Sequence, residues 1–103
     1  MIKKSELAVK NRRRGKTNEK KLSKILDASR VGIFGGEDLT KGNLSIEAKS
    51  RKQFVAEKWM EQAERNSKGK IPIVIVHIHG RQHENDFVII RLKNIKGALH
   101  EFD

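Results

Sequence analysis

The run Ile71-Pro72-Ile73-Val74-Ile75-Val76-His77-Ile78 constrains the fold of this chain more than any other stretch. Only Pro72 and His77 interrupt its apolar character. A run of this kind has no hydrophilic side, so it predicts a buried central strand, with Pro72 near its start where a missing N–H matters least. Other segments supply further strands. Asp86 to Leu92, with Phe87, Val88, Ile89 and Ile90, follows the polar connection Gly80–Asn85 and reads as an antiparallel neighbour. Val31-Gly32-Ile33-Phe34 is a short strand candidate, after which Gly35-Gly36 frees the backbone to turn. A turn at Lys41-Gly42-Asn43 leads into a strand from Leu44 to Lys49, where Leu44, Ile46 and Ala48 take one face and Ser45, Glu47 and Lys49 the other.

Between the strands the apolar period lengthens to that of helices. Leu22, Ile25, Leu26 and Ser29 fall at i, i+3, i+4 and i+7, predicting a helix over Thr17–Ser29 with Thr17 or Asn18 as its cap. A second helix spans Val55–Asn66, with Val55, Ala56, Trp59, Met60 and Ala63 as its core face. Trp59 lies within that stripe and reads as a core anchor rather than a platform for stacking bases. Ser67-Lys68-Gly69-Lys70 closes this helix, and Asn94–His100 forms a short final one. The order of helix, strands, helix, strands predicts an α/β sandwich, a central mixed sheet flanked by helices.

A chain of 103 residues makes one small domain. It has no cysteine, which excludes disulfides and thiolate metal sites. No apolar stretch is long enough to span a membrane, and the first residues lack the apolar core of a secretory leader, so a cytoplasmic location is expected. The net charge of +10 is concentrated: residues 1–24 hold ten Lys and Arg against two Glu. Such a block suits nucleic-acid phosphates. The candidate contacts are Lys10, Arg12, Arg13, Arg14, Lys16 and Lys20, joined by Arg51 and Lys52 beyond the acidic strand. Residues 1–14 read as a basic arm, mobile or ordered on binding. A solubility tail and attachment to anionic lipid are the alternatives, the latter disfavoured because Arg12-Arg13-Arg14 lies on no evident apolar helix face.

Asp38, before the turn, can come back toward Glu47, and Lys49 stands two residues beyond Glu47 on the same face. Two hard oxygen donors suit Mg²⁺, commonly held by one or two carboxylates plus substrate phosphates. A lysine beside them can stabilise phosphate charge or position an attacking water. An isolated Glu-x-Lys is more often a solvent-facing ion pair. Glu19 lies three residues before Leu22 and seven before Leu26, hence on the buried side of the first helix, either as an acid favoured by the helix dipole or as a carboxylate reaching for the same site. Gln62, at the edge of the second helix's stripe, is either a satisfied polar neighbour or a hydrogen-bond donor to a phosphate or a metal-bound water. His77 and His79 share one strand face and His83 follows, a recognised ligand geometry. No carboxylate is clearly tied to them, so they read as strand-end and turn residues rather than a metal site.

The ordered set Asp38…Glu47-Ala48-Lys49 resembles the motif of the PD-(D/E)xK nucleases. The helix start Gly15-Lys16-Thr17-Asn18-Glu19 is similar to that of archaeal-type Holliday junction resolvases and their phage relatives, and Trp59-Met60-Glu61-Gln62-Ala63 resembles small phage nucleases of this type. The similarity covers roughly residues 15–92. Glu37 stands where the motif's name has Pro. It is an alternative ligand, but adjacent residues of an extended chain point to opposite faces, and Asp38 is favoured. The resemblance implies a restriction-endonuclease-like core in a single nuclease domain over residues 15–103. It implies an Mg²⁺-dependent phosphodiester hydrolase, with Mn²⁺ able to substitute. Asp38, Glu47 and the Ala48 carbonyl would bind metal, Lys49 would orient the nucleophilic water, Glu19 would complete the acidic cluster and Gln62 would assist. It further implies DNA, four-way junctions above all, as substrate, a homodimer as the acting form, and the host cytoplasm as its place if a phage encodes it. Another nuclease of the superfamily, in repair, restriction or replication, is the nearest alternative. A basic binding module without catalysis is the alternative of a different class.

Overall fold

The computed structural model describes residues 3–32 and 38–103. It mixes helix and strand and divides into two compact units, the first ending at Lys52 and the second running from Gln53 to Asp103.

In the first unit, helix α1 covers Lys4–Leu26. It therefore begins well before Thr17 and takes in most of the segment read as a mobile arm. The residues explain this: Lys, Arg, Glu, Leu and Ala are strong helix formers, no proline interrupts them, and Glu6 sits in the first turn where the helix dipole favours an acid. Gly15 is the weak link. The helix ends at Asp27, which takes the left-handed conformation (φ 52°). The Ala28 N–H then reaches back to the Ser23 carbonyl at 2.9 Å. Aspartate is one of the few non-glycine residues that adopt this geometry routinely.

Three short strands follow: β1 (Ser29–Arg30), β2 (Leu39–Lys41) and β3 (Leu44–Ile46), in the order β1-β2-β3. Both pairings are antiparallel, Arg30 opposite Leu39 and Leu39 opposite Ile46. The β2–β3 turn is the expected one, with Gly42 at φ +55°, a value that favours glycine. At its edge the Lys41 ammonium donates to the Asp27 carbonyl at 3.2 Å, tying the hairpin to the end of α1. Leu39 is fully buried, and α1 packs on β1 and β2 with Leu22 and Leu26 half-buried. Ile25, expected on the same stripe, is exposed. The strand expected at Val31–Phe34 is described only as far as Gly32 and is not paired there as a ladder; Ile33, Phe34, Gly35, Gly36 and Glu37 lie outside the described residues.

The second unit holds α2 (Ala56–Asn66), β4 (Val74–Val76), β5 (Phe87–Ile89) and α3 (Ile95–His100), with single 3-10 turns at His83–Asn85 and Leu92–Asn94. Strands β4 and β5 are antiparallel, as expected, with Val76 opposite Phe87. The apolar run is not the buried centre of a sheet. Only Val74–Val76 is paired, with one partner strand, and α2 packs against β4. A two-stranded ribbon covered on one side buries alternate residues, so Val74 and Val76 are half-buried while Ile75 remains 65 % exposed. Among the described residues every strand pair is antiparallel, in two small sheets rather than one mixed sheet. On α2 the buried pair is Ala56 and Met60, one turn apart, with Ala63 half-buried. Trp59 falls beside that line and stays 44 % exposed, so it is not the core anchor its spacing suggested. Arg91 clasps the helix by ion pairs to Glu64 at 3.1 Å and Glu57 at 3.9 Å. The Glu64 hydrogen bond holds the Arg91 guanidinium above its ordinary pKa.

Candidate functional site

The β2–β3 ladder stops at Leu39 and Ile46, and Asp38 explains why. Its N–H donates to the Ile46 carbonyl at 3.0 Å, and its carboxylate Oδ2 accepts the Ala48 N–H at 2.8 Å. A side chain has replaced a backbone partner just where the strand was expected to continue to Lys49. The two bonds bracket Glu47, so Asp38 does return to that part of the chain. A charged acceptor makes the Ala48 bond one of the stronger kind, and it fixes one oxygen of Asp38.

Around this point lies a concavity of about 540 Å³, lined by Glu19, Asp38, Ala48 and Lys49 together with the cations Arg14, Arg51 and Lys52. Helix α1 brings Asn11, Gly15 and Glu19 to it on one face, at spacings of four residues, with Arg14 beside them. Four of the expected catalytic and metal-binding residues, with three of the expected phosphate contacts, thus meet within the first unit. Glu47 is exposed and is not among the lining residues. The Glu19 carboxylate pairs with Arg30 at 3.5 Å. Gln62 belongs to the second unit, exposed on α2. The expected phosphate contacts Lys10, Arg12, Arg13, Arg14, Lys16 and Lys20 are all exposed on α1, and Arg51 and Lys52 are exposed beyond β3. Because successive residues of a helix turn by about 100°, the three consecutive arginines fan out. Arg14 joins the acidic concavity, whereas Lys10 and Arg13 line a shallower groove with Glu6 and Val9. No helix among the described residues is long and apolar enough to cross a membrane.

No protein-family model, curated protein or solved structure matches the chain. Its chemistry is therefore read from the residues alone.

Among the described residues, one set of three metal-ligating side chains has its donor atoms within 4.8 Å of one another, and it is not the acidic set. It is His77, His83 and Asp86. Asp86 was read only as the opening residue of a strand. It accepts hydrogen bonds from both imidazoles, which hold its carboxyl below the ordinary aspartate pKa, His83 first and His77 second. The signal that locates it is register: one step beyond Val76 and Phe87, an antiparallel ladder places His77 across from Asp86. Hydrophobic pattern does not fix that register here, because residues 73–76 and 87–90 are apolar without alternation, so a slip of one residue exchanges one apolar face for another.

Proposed function

We propose that the first unit is the catalytic part of an Mg²⁺-dependent DNA endonuclease of the PD-(D/E)xK kind, acting on four-way junctions. The observation that supports this reading best is the meeting of Glu19, Asp38, Ala48 and Lys49 in one concavity rimmed by Arg14, Arg51 and Lys52. The donor set fits the metal. Mg²⁺ takes oxygen ligands, keeps several waters and needs only one or two carboxylates, so a gathered triad of acids is not required. Asp38 would hold it, with Glu47, Glu19 or the Ala48 carbonyl completing the protein's share. Bound there, Mg²⁺ supplies Lewis-acid stabilisation of charge on the phosphate oxygens.

The remaining work falls to the chain's own groups. Arg14, Arg51 and Lys52 attract the DNA backbone and hold the scissile phosphate over the acids, where Asp and Glu alone would repel it. Lys49 lines the same concavity, and its ammonium would orient the attacking water or balance the charge that grows in the transition state. The Ala48 N–H keeps the Asp38 carboxylate in one orientation, so little reorganisation accompanies reaction. Two chains acting as a dimer would deliver symmetric cuts.

One observation favours a second reading, a basic module that binds DNA without cutting it: Glu19 already has Arg30 as a partner. One experiment separates the two. Purified protein is incubated with labelled four-way junction and with matched linear duplex, in Mg²⁺ and in EDTA, beside Asp38→Asn and Glu47→Gln. The nuclease reading expects paired nicks in the junction, abolished by EDTA and reduced at least about 100-fold in each variant, with binding retained. Cutting of both substrates would make it a general nuclease. Binding without cutting in any divalent metal would leave the binding module.

A further inference from the structure

The second unit carries a cluster that the proposed nuclease does not use. His77 follows β4 directly, and Asp86 directly precedes β5. The 3-10 turn His83–Asn85 folds His83 back over the end of this hairpin. The His77 Nδ1 lies 2.6 Å from Asp86 Oδ1, and the His83 Nδ1 lies 3.0 Å from Asp86 Oδ2. The two imidazole rings stack with centroids 4.1 Å apart and planes 28° from parallel. Each carboxylate oxygen therefore faces its own ring nitrogen, and one ligand atom from each of the three residues lies within 4.8 Å of the others.

We infer that His77, His83 and Asp86 form a binding site for a borderline divalent transition metal of the Zn²⁺ class, with water in the remaining position. Imidazole nitrogen and carboxylate oxygen are donors that suit such an ion, and three protein ligands with one open position is the composition of zinc sites that keep a bound water. Zinc–nitrogen and zinc–oxygen bonds of about 2.0–2.2 Å set tetrahedral donors about 3.3 Å apart. The nitrogen–oxygen separations need to open by less than about 1 Å to reach that value, and any wider pair, up to the 4.8 Å span of the set, needs to close by at most about 1.5 Å, with the metal replacing the bridging protons. The cluster is built for such an adjustment: the Asp86 side chain is only 12 % exposed and anchored at the head of a strand, whereas His83 is 82 % exposed on a turn and open to solvent. Mg²⁺ is excluded by the same chemistry, since it demands octahedral oxygen ligands and two of the three donors are nitrogen.

The test is isothermal titration calorimetry of Zn²⁺ into the full chain, first stripped with EDTA and then freed of it. The variants are His83→Ala, Asp86→Asn, His79→Ala and His100→Ala. His83 is so exposed that its removal leaves the hairpin folded, which circular dichroism verifies. The expected result is one Zn²⁺ per chain, undisturbed by excess Mg²⁺. Affinity should fall at least about tenfold in His83→Ala and in Asp86→Asn, and remain unchanged in His79→Ala and His100→Ala. Equal affinity across all four variants, loss in His79→Ala instead, or no binding up to millimolar Zn²⁺ would each overturn the assignment.

Discussion

Asp38 holds the fold with one carboxylate oxygen and leaves the other for the proposed chemistry. One oxygen holds the Ala48 N–H at 2.8 Å, and Asp38 also lines the concavity. The two roles separate by substitution. Asp38→Ala strands a partly buried N–H and should cost about 1–2 kcal/mol in urea denaturation, whereas Asp38→Asn keeps an acceptor oxygen and should cost less than about half as much. Both remove the charge that a cation needs, so cleavage should fail in both. A stability loss as large in the asparagine variant would show that the carboxylate's charge, not its shape, holds the strand end. Part of this was legible: the expected return of Asp38 across the turn brings it to the concavity with Ala48 and Lys49, although Glu47 does not line it. The capture of the Ala48 N–H by a side chain was not, because it depends on where a ladder stops, and alternation continues in the sequence past that point. Asp86 was missed for a related reason, since its tie to His77 exists only in one register.

The second helix shows how far residue pattern carries an element. Val55–Asn66 was expected and Ala56–Asn66 is found, because a strong apolar stripe and the Ser67-to-Gly69 turn mark its limits. Which residues face inward was less legible: a stripe that includes Trp59 and one that runs Ala56–Met60–Ala63 differ by a small rotation, and packing decides between them. The first helix was underestimated because its N-terminal half is held by backbone propensity without an apolar stripe, and a stripe is what periodicity detects. That origin has a measurable consequence. Gly15 sits in mid-helix with open space around a would-be Cβ. Gly15→Ala should therefore raise helix content at the N-terminal end and add about 0.5–1 kcal/mol to stability, read by circular dichroism and thermal melting. An unordered arm would show neither change.

Over the whole molecule, much of the positive charge is carried by the regular helix α1 rather than a loose tail, so on the proposed nuclease reading the contacts with DNA phosphates would be set by helix geometry. The arginines that fan around α1 cannot all meet one strand. Arg14 lies with the acidic concavity, and Arg13 with a separate groove. Each cation that touches a phosphate contributes about 0.9 to the slope of log affinity against log salt. Arg14→Gln should flatten that slope by about one contact in fluorescence anisotropy on duplex or junction DNA, and Arg13→Gln should do so only if the second groove also holds a strand. An unchanged slope in both would remove Arg13 and Arg14 from the proposed set of DNA contacts. The division of the chain has a consequence of another order. The acidic concavity is encoded wholly before the boundary at Lys52 and the histidine cluster wholly after it. A single genetic crossover at that boundary would separate the two sets of side chains without altering the codons of either, so each proposed site is testable by itself.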